Sequence, residues 1–232
     1  MWRGDEFGSA PSILATGHTA LAAELPGGGW PLDGMVEVLQ ERPEHHVWQL
    51  LLPALALAAQ QQTGPVVLVG APFEPFGPSL AAQGLAGERL LCVRSERPAA
   101  RLWAAEQALR CAEVAAVLAW LPQAKGAELR RLHMAAQQHA RLLFVFRPLS
   151  ARHDASPARL RLRVDGVETL NVHILKRRGP PLETPVVLPA RPARLEALLD
   201  ARTGRGAVAP PPLPPVAANR RTHALDRSVA LT

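Results

Sequence analysis

The 232-residue sequence contains few cysteines and no long hydrophobic run. No apolar stretch approaches the roughly 18 to 20 residues that span a bilayer. The first residues, "MWRGDEFGSAPS", lack the apolar core of a secretion signal. We therefore expect a cytoplasmic protein without membrane contact. The two cysteines, Cys92 and Cys111, show no metal-ligand spacing, and without a secretion signal we expect reduced, buried thiols.

A second absence concerns the segment "QERPEHHV", residues 40–47, which contains no glycine, lysine, serine or threonine. A glycine-rich turn and a short apolar run precede it, and a long helical pattern follows, as around a phosphate-binding loop. In the pattern GxxxxGK[ST] the glycines let backbone N–H groups approach the phosphates. The lysine of that pattern neutralises the phosphates, and its serine or threonine holds Mg²⁺. The surroundings of such a loop are present here without the residues that bind phosphate.

The loop positions are filled by side chains of the wrong chemistry. Gln40 and His45 occupy the two glycine positions, His46 the lysine position and Val47 the Mg²⁺-ligand position. Valine cannot coordinate a metal, and a mostly neutral imidazole is too short to replace lysine. Trp120 ends an inner strand where an aspartate would hold Mg²⁺. We therefore expect no ATP binding in this mode, no catalytic residues, no cofactor and no metal.

Short apolar runs alternate with helical patterns along the first two thirds of the chain. Strands are predicted at 35–39, 65–70, 89–93, 114–121 and 141–146, with helices between them. Continuously apolar strands separated by helices predict a mostly parallel α/β sheet covered on both faces. The stretch "RLRLRVDGVETLNVHILKRRG" alternates around Asp165 and Gly166, which predicts an antiparallel hairpin at the edge of that sheet. Pro53 is expected to kink or interrupt the helix that begins at residue 43.

The chain divides into four parts on these patterns. Residues 1–30 form a lead-in segment, and residues 31–190 form the α/β core. Residues 191–205 are predicted to form a short helix. Residues 206–232 are proline-rich, without a sustained period, and are predicted to be a disordered tail.

Basic charge is concentrated after residue 146. Of the net +6, residues 147–178 carry eight arginines and lysines against three acids. This distribution favours an acidic partner or nucleic acid; arginines that only solvate the surface are the equal alternative. Trp103 and Trp120 lie in apolar periodic segments, so we expect them to pack in the core and not to stack on bases. The pair His45 and His46 is predicted to be solvated and not a metal site.

Two stretches resemble the RecA recombinase family. The first, "TGHTALAAELPGGGWPLDGMVEVL", resembles the lead into the family's ATPase core, and "LNVHILKRRGPPLETPVVL" resembles its late basic hairpin. Among RecA relatives, the chain is similar to the ImuA proteins of bacterial translesion-synthesis cassettes over about residues 2–188. This likeness is carried by "ELPGGGWP", "LWAAEQALR", "VLAWLP" and "ILKRRG". The cell-division inhibitor SulA is a more distant relative with the same degenerate core.

The resemblance implies a RecA-like fold and a non-catalytic accessory protein of an SOS-induced translesion DNA synthesis complex, the mutasome. Its implied partners are the polymerase-like hub ImuB, RecA and an error-prone replicative-type polymerase, with weak or indirect DNA binding. The alternative is a SulA-like inhibitor of cell division that binds the tubulin-like division protein. An ATPase would require a competent phosphate loop, which the sequence lacks.

The resemblance also assigns a role to the basic residues of the hairpin. In the RecA pattern two basic residues there reach across a protomer interface, and Lys176 and Arg178 match them. We therefore expect a partner contact through Lys176, Arg177 and Arg178. DNA contact and pairing with acids at the sheet edge remain alternatives.

Overall fold

The computed structural model describes residues 12–42, 47–166 and 169–189, and for Val47 the backbone alone. The predicted helix at 191–205 and the predicted tail at 206–232 lie outside the described residues. The strands are β1 (Ile13–Ala15), β2 (Gly29–Pro31), β3 (Met35–Gln40), β4 (Val66–Val69), β5 (Leu90–Val93), β6 (Ala116–Trp120), β7 (Leu142–Pro148), β8 (Leu160–Asp165), β9 (Thr169–Lys176) and β10 (Val186–Pro189). The α-helices are α1 (Thr19–Glu24), α2 (Val47–Gln61), α3 (Gly77–Ala81), α4 (Pro98–Arg110) and α5 (Gly126–His139). Short 3-10 turns occupy Pro26–Gly28, Gly87–Arg89 and Leu149–His153.

Eight strands form one sheet in the order β10-β9-β8-β3-β7-β6-β4-β5, and β1 pairs with β2 separately. The six strands from β8 to β5 are parallel, whereas β9 and β10 are antiparallel to their neighbours. The predicted mixed α/β fold, with a mostly parallel sheet and an antiparallel hairpin towards one edge, is confirmed. Within the described residues, no helix has both the length and the apolar character needed to cross a bilayer.

Side chains alternate between the two faces of the sheet, so each face buries its own apolar cluster. Leu68 and Phe144 belong to the cluster beneath helix α2, whereas Val67 and Val145 belong to the cluster beneath helices α4 and α5. The predicted inward positions of α5, which are Leu129, Leu132 and Ala136, are all buried. The sheet is therefore covered on both faces, as its continuously apolar strands predicted.

Helix α2 continues through Pro53, so the predicted interruption is absent, and the segment before α1 explains how the proline is accommodated. Proline has no N–H, which leaves the carbonyl of Gln49 without its helical donor. The His18 ring lies beside this turn of the helix, with Nε2 3.1 Å from the carbonyl of Leu50, the residue after Gln49. Gly17 adopts φ +78°, and a Cβ there would lie 2.2 Å from the Cβ of Pro53. Burial of the His18 ring lowers its pKa, which favours the neutral form.

Three side chains are more exposed than the sequence predicted. Trp103 was expected in the core but is 64% exposed. Helix α4 points Leu102, Ala105 and Leu109 at the sheet, and the position after Leu102 is rotated by about 100° away from it. Cys92 and Cys111 are free thiols, as expected, but both are exposed. Cys92 lies on the outermost strand β5, and Cys111 lies just beyond α4.

The central strand β3 carries a fully buried carboxylate that the sequence reading did not single out. Glu37 Oε1 lies 3.1 Å from Nη1 of Arg147 on β7, and its Oε2 lies 2.8 Å from Nε of Arg161 on β8. Both arginines are themselves buried. The ion pairs therefore connect β3 to both of its neighbours in the sheet.

The remaining donors of the two arginines hold the segment that follows β7. Arg147 contacts Asp154 Oδ2 at 2.8 Å and the Ala124 carbonyl at 3.1 Å. Arg161 donates to the carbonyls of Ala151 at 2.6 Å and Arg152 at 2.7 Å. Buried charges are tolerated when they are paired and hydrogen-bonded in this way.

The first residue of strand β3 contacts a histidine of helix α5, and this histidine must be neutral. The backbone N–H of Met35 donates to His133 Nδ1 at 3.2 Å, which requires a lone pair on that nitrogen. Burial lowers the pKa of His133, the positive charges of Arg159 and Lys176 lower it further, and the charge of Asp33 opposes them. Protonation of His133 would replace the acceptor of Met35 with a second donor.

Replacement of Glu37 by alanine should strongly destabilise the fold, because Arg147 and Arg161 would remain buried without their anion. We expect a loss of about 3–5 kcal/mol in the free energy of unfolding, measured by urea denaturation. The control is Glu74→Ala, which removes an ion pair with Arg94 whose side chains are both mostly exposed and should cost less than about 1 kcal/mol. Equal losses in the two variants would contradict the role assigned to Glu37.

Stability should fall as the pH decreases below the ordinary histidine pKa of 6.5. The folded-state pKa of His133 is lowered, so the unfolded chain binds more protons than the folded chain below pH 6.5. The stability that neutral His133 contributes is therefore lost as the pH falls from 6.5 through the folded-state pKa. The variant His133→Gln keeps an acceptor for Met35 but does not titrate. Urea denaturation at about pH 7.5 and about pH 5.5 should show a smaller loss for this variant than for the wild type. An identical loss in both proteins would assign the pH dependence to other groups.

Candidate functional site

A cavity opens at the carboxyl ends of β3, β4, β6 and β7, the edge at which open α/β sheets bind ligands. Its volume is about 430 Å³ and its walls are mainly apolar. The lining residues are Gln40, Glu41, Gly70, Ala71, Pro72, Arg101, Trp120, Pro122, Phe146, Arg147 and Pro148. The cavity has a size typical of a small-molecule site.

Two of the positions that the sequence analysis singled out lie at this cavity. Gln40, the last residue of β3, is buried. Trp120 ends β6, is buried as expected, and stacks on Phe146 with ring centroids 4.5 Å apart and an interplanar angle of 17°. His45 and His46 lie outside the described residues, as does the side chain of Val47. A stacked aromatic pair therefore occupies the end of this inner strand. An aspartate would be needed at the same position to hold Mg²⁺.

Arg101 forms one wall of the cavity, and the sequence analysis missed it. It lies in the first turn of α4, and its Nε donates to the Ser95 carbonyl at 2.5 Å. Its side chain crosses the backbone just after β4, where Gly70 has φ +65° and where a Cβ would lie 2.8 Å from the Arg101 side chain. The close approach of Gly70 and Arg101 joins residues 31 positions apart, so no local pattern indicates it.

Arg147 also lines the cavity, but its guanidinium is bound within the fold. Its guanidinium is bound by Glu37, by Asp154 and by the Ala124 carbonyl. An arginine whose terminal nitrogens are already bound by internal acceptors offers little to an anion. The cation of this cavity with the fewest internal bonds is therefore Arg101.

The three predicted partner-binding residues have different surroundings. Lys176 is exposed and donates to the Ser156 carbonyl at 3.0 Å. Arg177 has a side chain that is only 12% exposed and lies 3.0 Å from Glu24 Oε2, and its Nε donates to the Pro180 carbonyl at 2.8 Å.

Arg178 is exposed and lines a small cavity beside Arg159 and Asp33. Among the described residues, none forms a hydrogen bond or ion pair with its guanidinium. Arg177 thus fastens α1 to the end of the hairpin, while Lys176 and Arg178 present charge to solvent. Their role in partner binding stays a prediction.

The basic end of the hairpin and the cavity lie at opposite ends of the parallel strands. Lys176 pairs with Arg161 near the start of β8, and β8 runs parallel to β3. The hairpin end is therefore at the amino ends of the parallel strands, whereas the cavity is at their carboxyl ends. The fold therefore separates the basic trio from the cavity.

Comparisons with known proteins identify a relative for part of the chain. The sequence matches no known family profile. It is 32% identical over 107 residues to the cell division inhibitor SulA of Edwardsiella piscicida, an alignment that covers 46% of this chain and 64% of SulA. The chain thus spans less than two thirds of that curated relative. A crystal structure of SulA from Pseudomonas aeruginosa is similar at 26% identity and a TM-score of 0.40, over 49% of this chain and 97% of that one. A TM-score of 0.40 is too low to support an argument from the fold.

The sequence similarity corrects the expected function. The main expectation, an accessory protein of translesion DNA synthesis, is contradicted because the curated relative is an inhibitor of cell division. The segments that suggested ImuA explain the error. "ELPGGGWP" contains the fully buried Trp30, and "VLAWLP" is mostly the buried strand β6. Such segments carry the fold, which relatives of different function share. The chain is homologous to SulA over part of its length.

Proposed function

We propose that this chain is a SulA-like inhibitor of cell division that acts by binding the tubulin-like division protein. The observation that carries the proposal is the 32% identity to a cell division inhibitor over 107 residues. An inhibitor of this kind acts by occupancy of its target, so it needs a stable binding surface and no catalytic group. Expression during the SOS response to DNA damage is part of the proposal.

We further propose that the core is RecA-like with a degenerate phosphate loop, related to the ImuA proteins, and that it does not hydrolyse ATP. The support comes from the residues at the expected nucleotide edge. Gln40 stands at the end of β3, and Trp120 stacks on Phe146 at the end of β6. Gln40 does not permit the backbone approach of glycine, and Trp120 does not offer the oxygen ligand that Mg²⁺ requires. Arg147, which follows Phe146 in the sequence, is bound by Glu37.

Inhibition without catalysis has a quantitative consequence. If one chain removes one division-protein subunit, inhibition follows the ratio of the two concentrations and saturates near equivalence. ATP should change neither the affinity nor the extent of inhibition, because no step of the proposed action uses it. Turnover by a catalyst would instead let a small amount of the chain inactivate a large excess of subunits.

Induced expression of the chain in a rod-shaped bacterium should produce long, undivided filaments. Purified chain should also reduce the sedimentable polymer of the division protein in proportion to its concentration, with half of the maximal effect near half-equivalence. The Glu37→Ala variant, expressed at the same level, serves as a control with a disrupted fold. Normal cell length in the presence of abundant folded wild-type chain would contradict the proposed function.

A fluorescent ATP analogue should not bind to the chain. Titration in the presence of Mg²⁺ should give no saturable change in anisotropy up to about 1 mM, a concentration at which binding free energies are only about −4 kcal/mol. A phosphate-release assay should match the buffer blank. Saturable micromolar binding with Mg²⁺-dependent turnover would contradict the non-catalytic part of the proposal and leave the division target open to its own test.

A further inference from the structure

The two edges of the eight-stranded sheet differ in how they are protected. Edge strands carry unpaired backbone groups, and proteins commonly block them with prolines, charges or covering segments. At the β10 edge, Pro185 precedes the strand, Pro189 ends it, and helix α1 packs against it. This edge therefore has the protection that is usual for a sheet edge.

The β5 edge has none of these features. Strand β5 consists of Leu90, Leu91, Cys92 and Val93, with neither a charge nor a proline. It is the outermost strand and pairs with β4. Among the described residues, no hydrogen bond reaches its outer side.

The direction of the free backbone groups follows from the pairing with β4. The Gly70 N–H donates to the Val93 carbonyl at 2.9 Å, so Val93 directs its backbone towards β4. Backbone direction alternates along a strand. Leu91 therefore also faces β4, and the N–H and C=O groups of Leu90 and Cys92 point outward. These groups form a template for one more strand.

Large apolar side chains are exposed on this strand and in the connection after β4. Leu91 is 50% exposed, and Phe73 and Phe76 in the connection after β4 are 68% and 72% exposed. The ion pair of Glu74 with Arg94, at 2.7 Å, holds that connection against the end of β5. Burial raises the pKa of the Cys92 thiol, and the charge of Glu74 raises it further while Arg94 opposes it, which places this ion pair beside Cys92.

The charges that flank β5 fall in opposite pairs. Glu74 is paired with Arg94 beyond the end of the strand, and Glu88 is followed by Arg89 just before its start. The edge therefore presents almost no net charge. A complementary segment would be uncharged, extended and apolar on alternate residues.

We propose that the outer edge of β5 is an interaction surface that accepts an extended, uncharged apolar segment of a partner protein as an additional strand. Strand addition takes its affinity from main-chain hydrogen bonds and its selectivity from alternate side chains. Leu90 and Cys92 supply the hydrogen bonds, and Leu91 with the two phenylalanines supplies the apolar contact. This inference extends beyond the proposed function and does not depend on which protein is inhibited.

The test uses a fluorescein-labelled peptide of eight alternating valine and threonine residues as the probe, with the full chain in an anisotropy titration. Leu91→Lys places a charge on the edge, a common natural means of blocking strand addition. We expect this variant to bind the peptide about tenfold more weakly than the wild type, which corresponds to about 1.4 kcal/mol.

The matched control is Val187→Lys on β10, because Val187 is 56% exposed on the opposite edge strand; it should bind within about twofold of the wild type, a difference below 0.5 kcal/mol. A peptide with prolines at alternate positions should not bind, because it lacks the donors.

A second arm locates the peptide and does not depend on the folding of a variant. The same peptide, carrying one cysteine activated as a pyridyl disulfide, is attacked by a protein thiolate, which forms a mixed disulfide and releases pyridine-2-thione. We expect the peptide on Cys92, since directly paired residues of adjacent strands lie about 5 Å apart, and little on the exposed Cys111.

Equal binding by wild type and Leu91→Lys, equal labelling of both cysteines, or no binding at about 1 mM peptide would overturn the proposal. So would a wild-type dimer that Leu91→Lys dissociates without any peptide binding, since the edge would then belong to a second copy. None of these results alters the cell-length experiment, so failure of the two proposals can be told apart.

Discussion

The ion pairs of Glu37 join the two halves of the sheet. Strand β3 has β7, β6, β4 and β5 on one side and β8, β9 and β10 on the other. Arg147 reaches Glu37 from the first half and Arg161 reaches it from the second. The same two arginines hold the carbonyls and the carboxylate of the turn that follows β7. This buried network joins β3 to the 3-10 turn at Leu149–His153, so the stability of this part of the sheet depends on the pairing of its charges.

Much of the fold is predictable because the signals for it are local. Apolar runs identified the parallel strands, and alternation around Asp165 and Gly166 identified the hairpin. The predictions that were wrong concern residues whose surroundings come from distant parts of the sequence. Pro53 packs against Gly17, which lies 36 positions earlier, and Cys92 is exposed because β5 is the last strand of the sheet. A glutamate inside the apolar run of β3 was itself a signal, but its partners lie 110 and 124 positions away.

The candidate site was predictable in part for the same reason. The wrong chemistry at the loop positions is visible in the sequence, and Trp120 lies at the strand end where it was expected. Arg101 enters the cavity only through the crossing of α4 over Gly70, which the sequence does not indicate. Recognition of a target depends on exposed residues that the fold does not constrain. Segments that fix the buried framework therefore indicated the mixed α/β fold and suggested the wrong function.

The contact between Arg177 and Glu24 has a consequence for the order in which the molecule is assembled on the ribosome. These residues lie 153 positions apart, so this contact between helix α1 and the end of the hairpin forms only after Arg177 has been made. The second carboxylate oxygen of Glu37 likewise gains its ion-pair partner only after Arg161 has been synthesised. During synthesis the parallel strands emerge with the central carboxylate incompletely neutralised, and helix α1 lacks its contact with Arg177 until β9 has been made. Long-range closure of this kind slows folding, so the nascent chain is exposed to proteases and to self-association until almost all of the described residues have left the exit tunnel.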